Sequence, residues 1–524
     1  MLLRIVWEEK MLGVETEMKY IVSADEMKLY DRNTIEKIGI PAIVLMERAA
    51  LSAFERIRER LSSFGCKKGQ GSVLVMAGMG NNGADGLALA RLLAEDGTHV
   101  EVWCVGEEEK ATDLWKRQRE ILTQYSVEFS AKPEKKEYNI LVDALFGVGL
   151  SRELTGSFKA AVECFSKLQG YRLALDMPSG IHGDTGRVLG AAVFADETVT
   201  FGFCKRGLVL YPGCEAAGKL TTAQIGITEK AFFNREPEWF SYDEKPADLL
   251  PKRDKAGNKG TFGKVLLIAG SENMSGAATL AAKAAYRTGA GMVKVVTVPE
   301  NREILQQTVP EALMQTGTDL TAEVRDWADV VVIGPGIGKD SRAYELLEQV
   351  LKNCRLPLVI DADGLNLLAE HVQLRNLCRE AGKGGRKIIL TPHMGELSRL
   401  TGKPVAVLKE CPADYGRELA EELGAVVVAK DARTLVCAGS EKVYVNLTGN
   451  SGMATAGSGD VLAGMLGALL AQGMKPYEAA CAGVYLHGAA GDRAASELGE
   501  YGCMAGDLVT LCHVMKERDL GKDE

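Results

Sequence analysis

Asp460 closes the run Thr455-Ala456-Gly457-Ser458-Gly459-Asp460, and an apolar stretch beginning Val461-Leu462-Ala463-Gly464 follows it. Glycines on both sides of a serine let several backbone N–H groups converge. The apolar residues read as the first turns of a buried helix, which puts an electropositive helix N-terminus beneath the loop. Such a loop suits a phosphate or a developing anion, and Asp460 sits where a carboxylate takes a proton from a hydroxyl held over it. A turn that only ends one helix and caps the next would need one glycine, not this run with an acid at the helix mouth.

Other residues of the same half could share that chemistry. They fall in Gly334-Pro335-Gly336-Ile337-Gly338, Asp361-Ala362-Asp363-Gly364, Thr391-Pro392-His393-Met394-Gly395-Glu396 and Lys430-Asp431-Ala432-Arg433-Thr434. Each follows an apolar run or opens a helical pattern, the placement expected for one continuous cleft. Of six histidines, His393 alone lies in such a strand-end loop. A lone histidine is more often a satisfied structural residue, and the loop context raises a ligand role beside that reading. Lys430 ends a buried strand, where an unpaired ammonium is costly. A nucleotide phosphate would pair with it, or Asp431 would do so structurally. No Walker A motif is present, so a P-loop ATPase is excluded.

The first half carries a second set. Gly78-Met79-Gly80-Asn81-Asn82-Gly83-Ala84-Asp85-Gly86 contains G-x-G-x-x-G, with Glu101 at about the right distance for a ribose-binding acid. A Rossmann dehydrogenase is one reading of that lone fingerprint. Asn81, Asn82 and Asp85 are not required by it, and they add side-chain oxygens suited to an alkali cation and polar ligand groups. Asp143 closes a strand before the glycine-rich loop 147–152, whose Arg152 could hold a phosphate. Asp176 closes the next strand, before Met177-Pro178-Ser179-Gly180. A strand-end Asp is often a plain helix N-cap. Three coincident loops offering Asn82, Asp143 and Ser179 as hard oxygens favour a site.

The elements that must position these residues read as α/β layers. Buried parallel-sheet runs occur at 73–77, 100–105, 140–143 and 173–176, and a second series at 265–269, 293–298, 330–333, 358–361, 388–390 and 426–429. Between the series, residues 234–260 carry Pro237, Pro246, Pro251 and Gly257 with little periodicity, which places a domain boundary near 240–250. The expected domains are 18–240 and 250–524, with 1–17 an N-terminal extension. The apolar stretch 461–474 is too short and glycine-laced for a membrane span and reads as a buried helix.

A length of 524 residues exceeds one ordinary core and agrees with two domains. The net charge of −9 and the lack of a basic block disfavour a nucleic-acid scaffold. Twelve scattered cysteines with no CxxC pair read as reduced cytoplasmic thiols.

The residues from about 24 to 232 resemble the NAD(P)H-hydrate epimerase family, the YjeF N-terminal domain. The likeness rests on Ser23-Ala24-Asp25-Glu26-Met27, Met46-Glu47-Arg48-Ala49-Ala50, the Gly80 to Gly86 loop, the segment from Asp143 to Arg152, and Asp176 to Gly180. The resemblance implies potassium held by Asn82, Asp143 and Ser179. It implies contact with a hydrated nicotinamide nucleotide through Asn81, Asn82, Gly83, Ala84, Asp85, Gly147, Val148, Gly149, Leu150, Ser151, Arg152, Glu153 and Asp176, with Asp176 a candidate acid/base at C6. The same fold also occurs as a non-catalytic module in RNA-decay scaffolds, and retention of Asp143 and Asp176 argues against that role.

From about 250 to 515 the loops resemble the ribokinase-like superfamily and, within it, the NAD(P)H-hydrate dehydratases. This implies two α/β three-layer domains, Rossmann-like and then ribokinase-like. It assigns Ala277, Gly336, His393 and Asp460 to the hydrated nucleotide, and Lys430, Asp431, Ala432, Arg433, Thr434 and Gly459 to the adenine nucleotide, with Asp460 as base. The implied cofactors are K+ in the first domain and Mg2+ with ADP in the second. The substrates would be NADHX and NADPHX, with no nucleic-acid or membrane partner, and a homo-oligomer, specifically a homotetramer, is expected. A ribokinase-type small-alcohol or vitamin kinase with an accessory domain, and a non-catalytic nucleotide-binding scaffold, are the alternative readings.

Overall fold

The computed structural model describes residues 18–125, 127–242, 249–318, 320 and 322–510. The expected extension 1–17 lies outside them. The chain divides into two compact units, one spanning Tyr20–Trp239 and the other beginning at Phe240.

In the first unit, seven parallel strands lie side by side in the order Glu128–Ser130, His99–Cys104, Ser72–Ala77, Glu137–Ala144, Gln169–Leu175, Glu197–Phe201 and Lys219–Ala223. Successive side chains of a strand point to opposite faces. Accordingly Val73, Val75 and Ala77 pack with Ala84 and Leu87, whereas Leu74 and Met76 pack with Val162 and Phe165. Both faces are covered by helices, so the strand reads as a continuous apolar run. The strand order reverses between Ser72–Ala77 and Glu137–Ala144, and the loops leaving their carboxyl ends are those carrying Asn81 and Gly147.

The second unit repeats the logic with different topology. Parallel strands run in the order Leu313–Thr316, Met292–Thr297, Lys264–Ile268, Val330–Ile333, Leu358–Ile360, Ile388–Leu390 and Val426–Ala429. The antiparallel strands Leu435–Cys437 and Val443–Val445 extend that edge. Here the order reverses between Lys264–Ile268 and Val330–Ile333, where the Gly334-Pro335-Gly336 loop emerges. The expected buried helix is Ser458–Ala471, and its residues 461–470 are all buried. A Cβ on Gly464 would come within 2.1 Å of Ala281 O, so the close approach to helix Ser275–Arg287 requires glycine there. No helix among the described residues is long and apolar enough to cross a membrane.

Candidate active sites

A cavity of about 750 Å3 opens at the strand ends of the first unit. Asn81, Asn82, Asp85, residues 147–152 and Asp176 border it, as expected from the sequence. Gly83, Ala84 and Glu153 do not. Gly83 and Ala84 are buried in the first turn of helix Asn81–Glu95, where a Cβ on Gly83 would meet Gly78 O at 1.8 Å, and Glu153 faces outward. Glu101 is not a ribose ligand. It is fully buried within its strand, accepting from Ser130 Oγ (2.6 Å), Glu134 N (3.0 Å) and the Tyr138 hydroxyl (2.5 Å).

Asp176 adopts left-handed backbone geometry, φ 65°, uncommon for a residue with a Cβ and typical of functional positions. Its Oδ1 lies 2.5 Å from Lys205 Nζ, and its Oδ2 accepts from Val148 N at 3.2 Å. A Cβ on Gly147 would stand 2.9 Å from Asp176 Oδ2, so glycine is what lets this loop close over the carboxylate. Lys205 went unassigned in the sequence. It is buried on the two-residue strand Cys204–Lys205, which pairs with Ile21 and Val22. Its other two N–H groups donate to Thr200 Oγ1 (2.9 Å) and Phe201 O (2.8 Å).

Asp143 and Ser179 are brought together directly. Ser179 donates from N to Oδ2 (2.7 Å) and from Oγ to Oδ1 (2.6 Å), while Phe146 N donates to Ser179 Oγ (2.9 Å). Burial pushes the Asp143 carboxyl up to about 6, against the hydrogen bonds from Ser179 and Leu145. Asn82 is buried beside Gly147, and both polar atoms of its amide lack a partner among the described residues. A buried carboxylate without a counter-ion and an orphaned amide carbonyl fit an oxygen-ligated monovalent cation.

In the second unit Gly457, at φ 93°, precedes helix Ser458–Ala471 and offers no side-chain cap. The Asp460 carboxyl, in the first turn, makes no hydrogen bond with any described residue. Burial and then the Asp361 charge push its carboxyl up to about 7, with Lys430 opposing. Lys430 pairs with Asp361 Oδ1 at 2.7 Å, not with the neighbouring Asp431, which instead faces Lys409 at 3.7 Å. A Cβ on Gly459 would lie 3.2 Å from Lys430 Nζ, and one on Gly336 would lie 2.9 Å from Ala277 Cβ, so each pair is adjacent. Asp431 and Ala432 are exposed, and Arg433 and Thr434 are partly so.

His393 fills the structural role weighed for it. Its Nδ1 accepts from Gly395 N (2.9 Å) and Glu396 N (3.3 Å), capping helix Met394–Thr401, while its backbone bridges Lys430. Burial and then the Lys430 charge lower its pKa. Two further groups carry no role in the sequence reading. Glu396 is buried and pushed up to about 7 by desolvation. His487, within helix Pro476–Leu498, lies 2.9 Å from Ser458 O and is held down to about 4 by burial.

The folds and sites define a class: a two-unit α/β protein whose residues 42–207 match the YjeF-related protein N-terminus and whose residues 265–512 match NAD(P)H-hydrate dehydratase. The chain belongs to the bifunctional NAD(P)H-hydrate repair enzymes. It is 37% identical over 516 residues to that of Moorella thermoacetica, covering 94% of this chain and 95% of the relative. It is 34% identical to that of Escherichia coli, covering 93% and 92%. The ADP/ATP-dependent NAD(P)H-hydrate dehydratase from Bacillus subtilis, crystallised with ATP and Mg2+, aligns at 30% identity with a TM-score of 0.47, covering 52% of this chain and 97% of that one.

Proposed function

We propose that this chain repairs hydrated nicotinamide nucleotides at two sites. The first unit interconverts the R and S epimers at C6. The second consumes the S epimer with ADP, giving NAD(P)H, AMP and phosphate. Residues 20–239 bind and orient the hydrate over Asp176, which moves a proton during epimerisation. Asn82, Asp143 and Ser179 would hold potassium, whose charge would neutralise the buried Asp143.

In the second unit Asp460 takes the proton of the C6 hydroxyl. The amides of residues 457–459 and Lys430 stabilise charge on the phosphoryl group passing to that oxygen. Hydroxide is a poor leaving group, whereas phosphate departs readily as the C5 proton is lost. Magnesium, when bound, would offset negative charge on the nucleotide phosphates, and the buried carboxylates of Asp361 and Glu396 would be the side chains to hold it.

The observation that carries this reading is the unbonded Asp460 carboxylate at an amide-rich helix mouth beside the Lys430–Asp361 pair. Recovery of reduced-nicotinamide absorbance from mixed R and S hydrates plus ADP is expected to run to completion. Recovery of only the S fraction, at the spontaneous epimerisation rate thereafter, would remove the epimerase from the proposal. The same reading includes a cytoplasmic homotetramer acting on free nucleotides, which sizing by light scattering tests. The eleven free cysteines among the described residues suit a reducing compartment.

A further inference from the structure

The cavity of the first unit holds more ionisable groups than Asp176 alone. Asp31, from helix Ala24–Asn33, and Asp85, from the first turn of helix Asn81–Glu95, line it together with Asp176 and Lys205. Lys205 is committed: its three N–H groups go to Asp176 Oδ1, Thr200 Oγ1 and Phe201 O. The Asp85 side chain makes no ion pair or hydrogen bond with any described residue. Three carboxyls around one committed ammonium cannot all ionise at low cost. Burial, then the charges of Asp176 and Asp31, hold the Asp85 carboxyl well above the ordinary carboxylate range, with Lys205 opposing. Asp31 is raised by burial and by Asp176. The cavity therefore sets a carboxylate fixed by an ammonium beside a carboxyl that burial biases toward its protonated form, the separation of roles that acid–base chemistry uses.

One route that inverts C6 of the hydrate breaks its C6–O bond and re-forms it on the other face of the ring. We propose that Asp85 is the general acid of this epimerisation, giving its proton to the departing C6 hydroxyl while Asp176, positioned by Lys205, receives one from the water that returns. The C6–O bond breaks with its electron pair on oxygen, which leaves as water with the Asp85 proton. The ring nitrogen lone pair closes onto C6 to give a planar iminium. Water then adds to the opposite face, forming the new C6–O bond and passing a proton to Asp176. That proton returns to Asp85 through solvent, so protons and electrons balance over the cycle. The proposal rests on the reading of this cavity as the epimerisation site.

The test uses the full chain without ADP and follows conversion of purified R hydrate to S by chromatography. Asp85→Asn and Asp85→Ser are expected to slow kcat by about 10²–10⁴, the usual loss on removing a general acid, with KM little changed. Thermal melting and ADP-dependent dehydration of pure S hydrate show that each variant is folded, and two replacements keep the test available if one is not. A wild-type rate in either folded Asp85 variant overturns the proposal. Loss in Asp31→Asn with a wild-type rate in the Asp85 variants also overturns it, by moving the acid role to Asp31. If Asp176→Asn keeps the wild-type rate as well, the cavity is not the epimerisation site and the underlying reading falls with it.

Discussion

Lys430 Nζ lies 2.7 Å from Asp361 Oδ1, and Thr391 Oγ1 adds a 2.6 Å bond to the same oxygen. The ammonium and the hydroxyl thus anchor Asp361 and leave Asp460 without a partner. A single buried cation beside two carboxylates divides their roles: one is structural counter-ion, the other is desolvated and repelled by its neighbour. The first unit repeats this division, with Lys205 anchoring Asp176 and leaving Asp85 unpaired.

Because Asp460 must be ionised to accept a proton and is pushed up to about 7, kcat/KM for dehydration should rise with pH to about 7 and then level. Asp460→Asn should lose that limb and slow turnover by about 10²–10⁴. Asparagine keeps the shape of the side chain but cannot take the proton. ADP affinity, measured by calorimetry, should move little, since the loop amides and Lys430 remain. Normal turnover in this variant would show that Asp460 does not act as base.

Asp143→Ala should weaken epimerisation and its dependence on KCl while leaving dehydration of pure S hydrate intact. The carboxylate holds both the amide and the hydroxyl of Ser179, so its removal takes away a cation ligand and the orientation of a second. Titrating KCl against the R-to-S rate reads this directly. An unchanged rate and salt response would rule out the cation site.

Strands buried on both faces were legible because burial leaves them no polar alternation, and the loops at their carboxyl ends came with them. Glu197–Phe201 was not, because Glu197, Thr198 and Thr200 are buried polar residues that break the apolar run; Glu197 is matched by Arg56 and Tyr171. Lys205 sits on a two-residue strand with no periodic signal, and its partner Asp176 is 29 residues away. Lys430 was expected to pair with a phosphate or with adjacent Asp431. Its partner is Asp361, 69 residues earlier, brought in by the parallel sheet. His487 carries no loop signature at all, since it stands mid-helix and acts through Ser458.

Residues 250–524 alone should repair only S hydrate, and residues 18–240 alone should only equilibrate the epimers. Among the described residues, the core around Val332 and Leu466 draws on residues from Phe240 onward, and that around Val75 and Leu89 on residues before Trp239. Each unit thus has its own buried apolar interior, the requirement for independent folding. Loss of both activities on separation would contradict this.

Acid should destabilise the second unit through His487. Burial moves its pKa from the ordinary 6.5 to about 4, although the hydrogen bond to Ser458 O opposes the shift. Between those values the unfolded chain binds a proton that the folded one refuses, so stability present above 6.5 is lost as pH falls toward 4. At about 1.4 kcal/mol per pH unit the loss approaches roughly 3 kcal/mol. Asp460 works the other way, because its raised pKa lets the folded state bind a proton that the unfolded chain does not hold between about 7 and the ordinary 3.8. Wild-type slopes therefore mix His487 with raised acids such as Asp460 and Glu396, and the comparison must be with His487→Gln, whose amide N–H can still donate to Ser458 O but does not titrate. Chemical denaturation at pH 7.5 and pH 5 should show the wild type losing more stability than the variant over that interval, by about 1–2 kcal/mol. Equal losses in the two proteins would mean that His487 titrates alike in the folded and unfolded states.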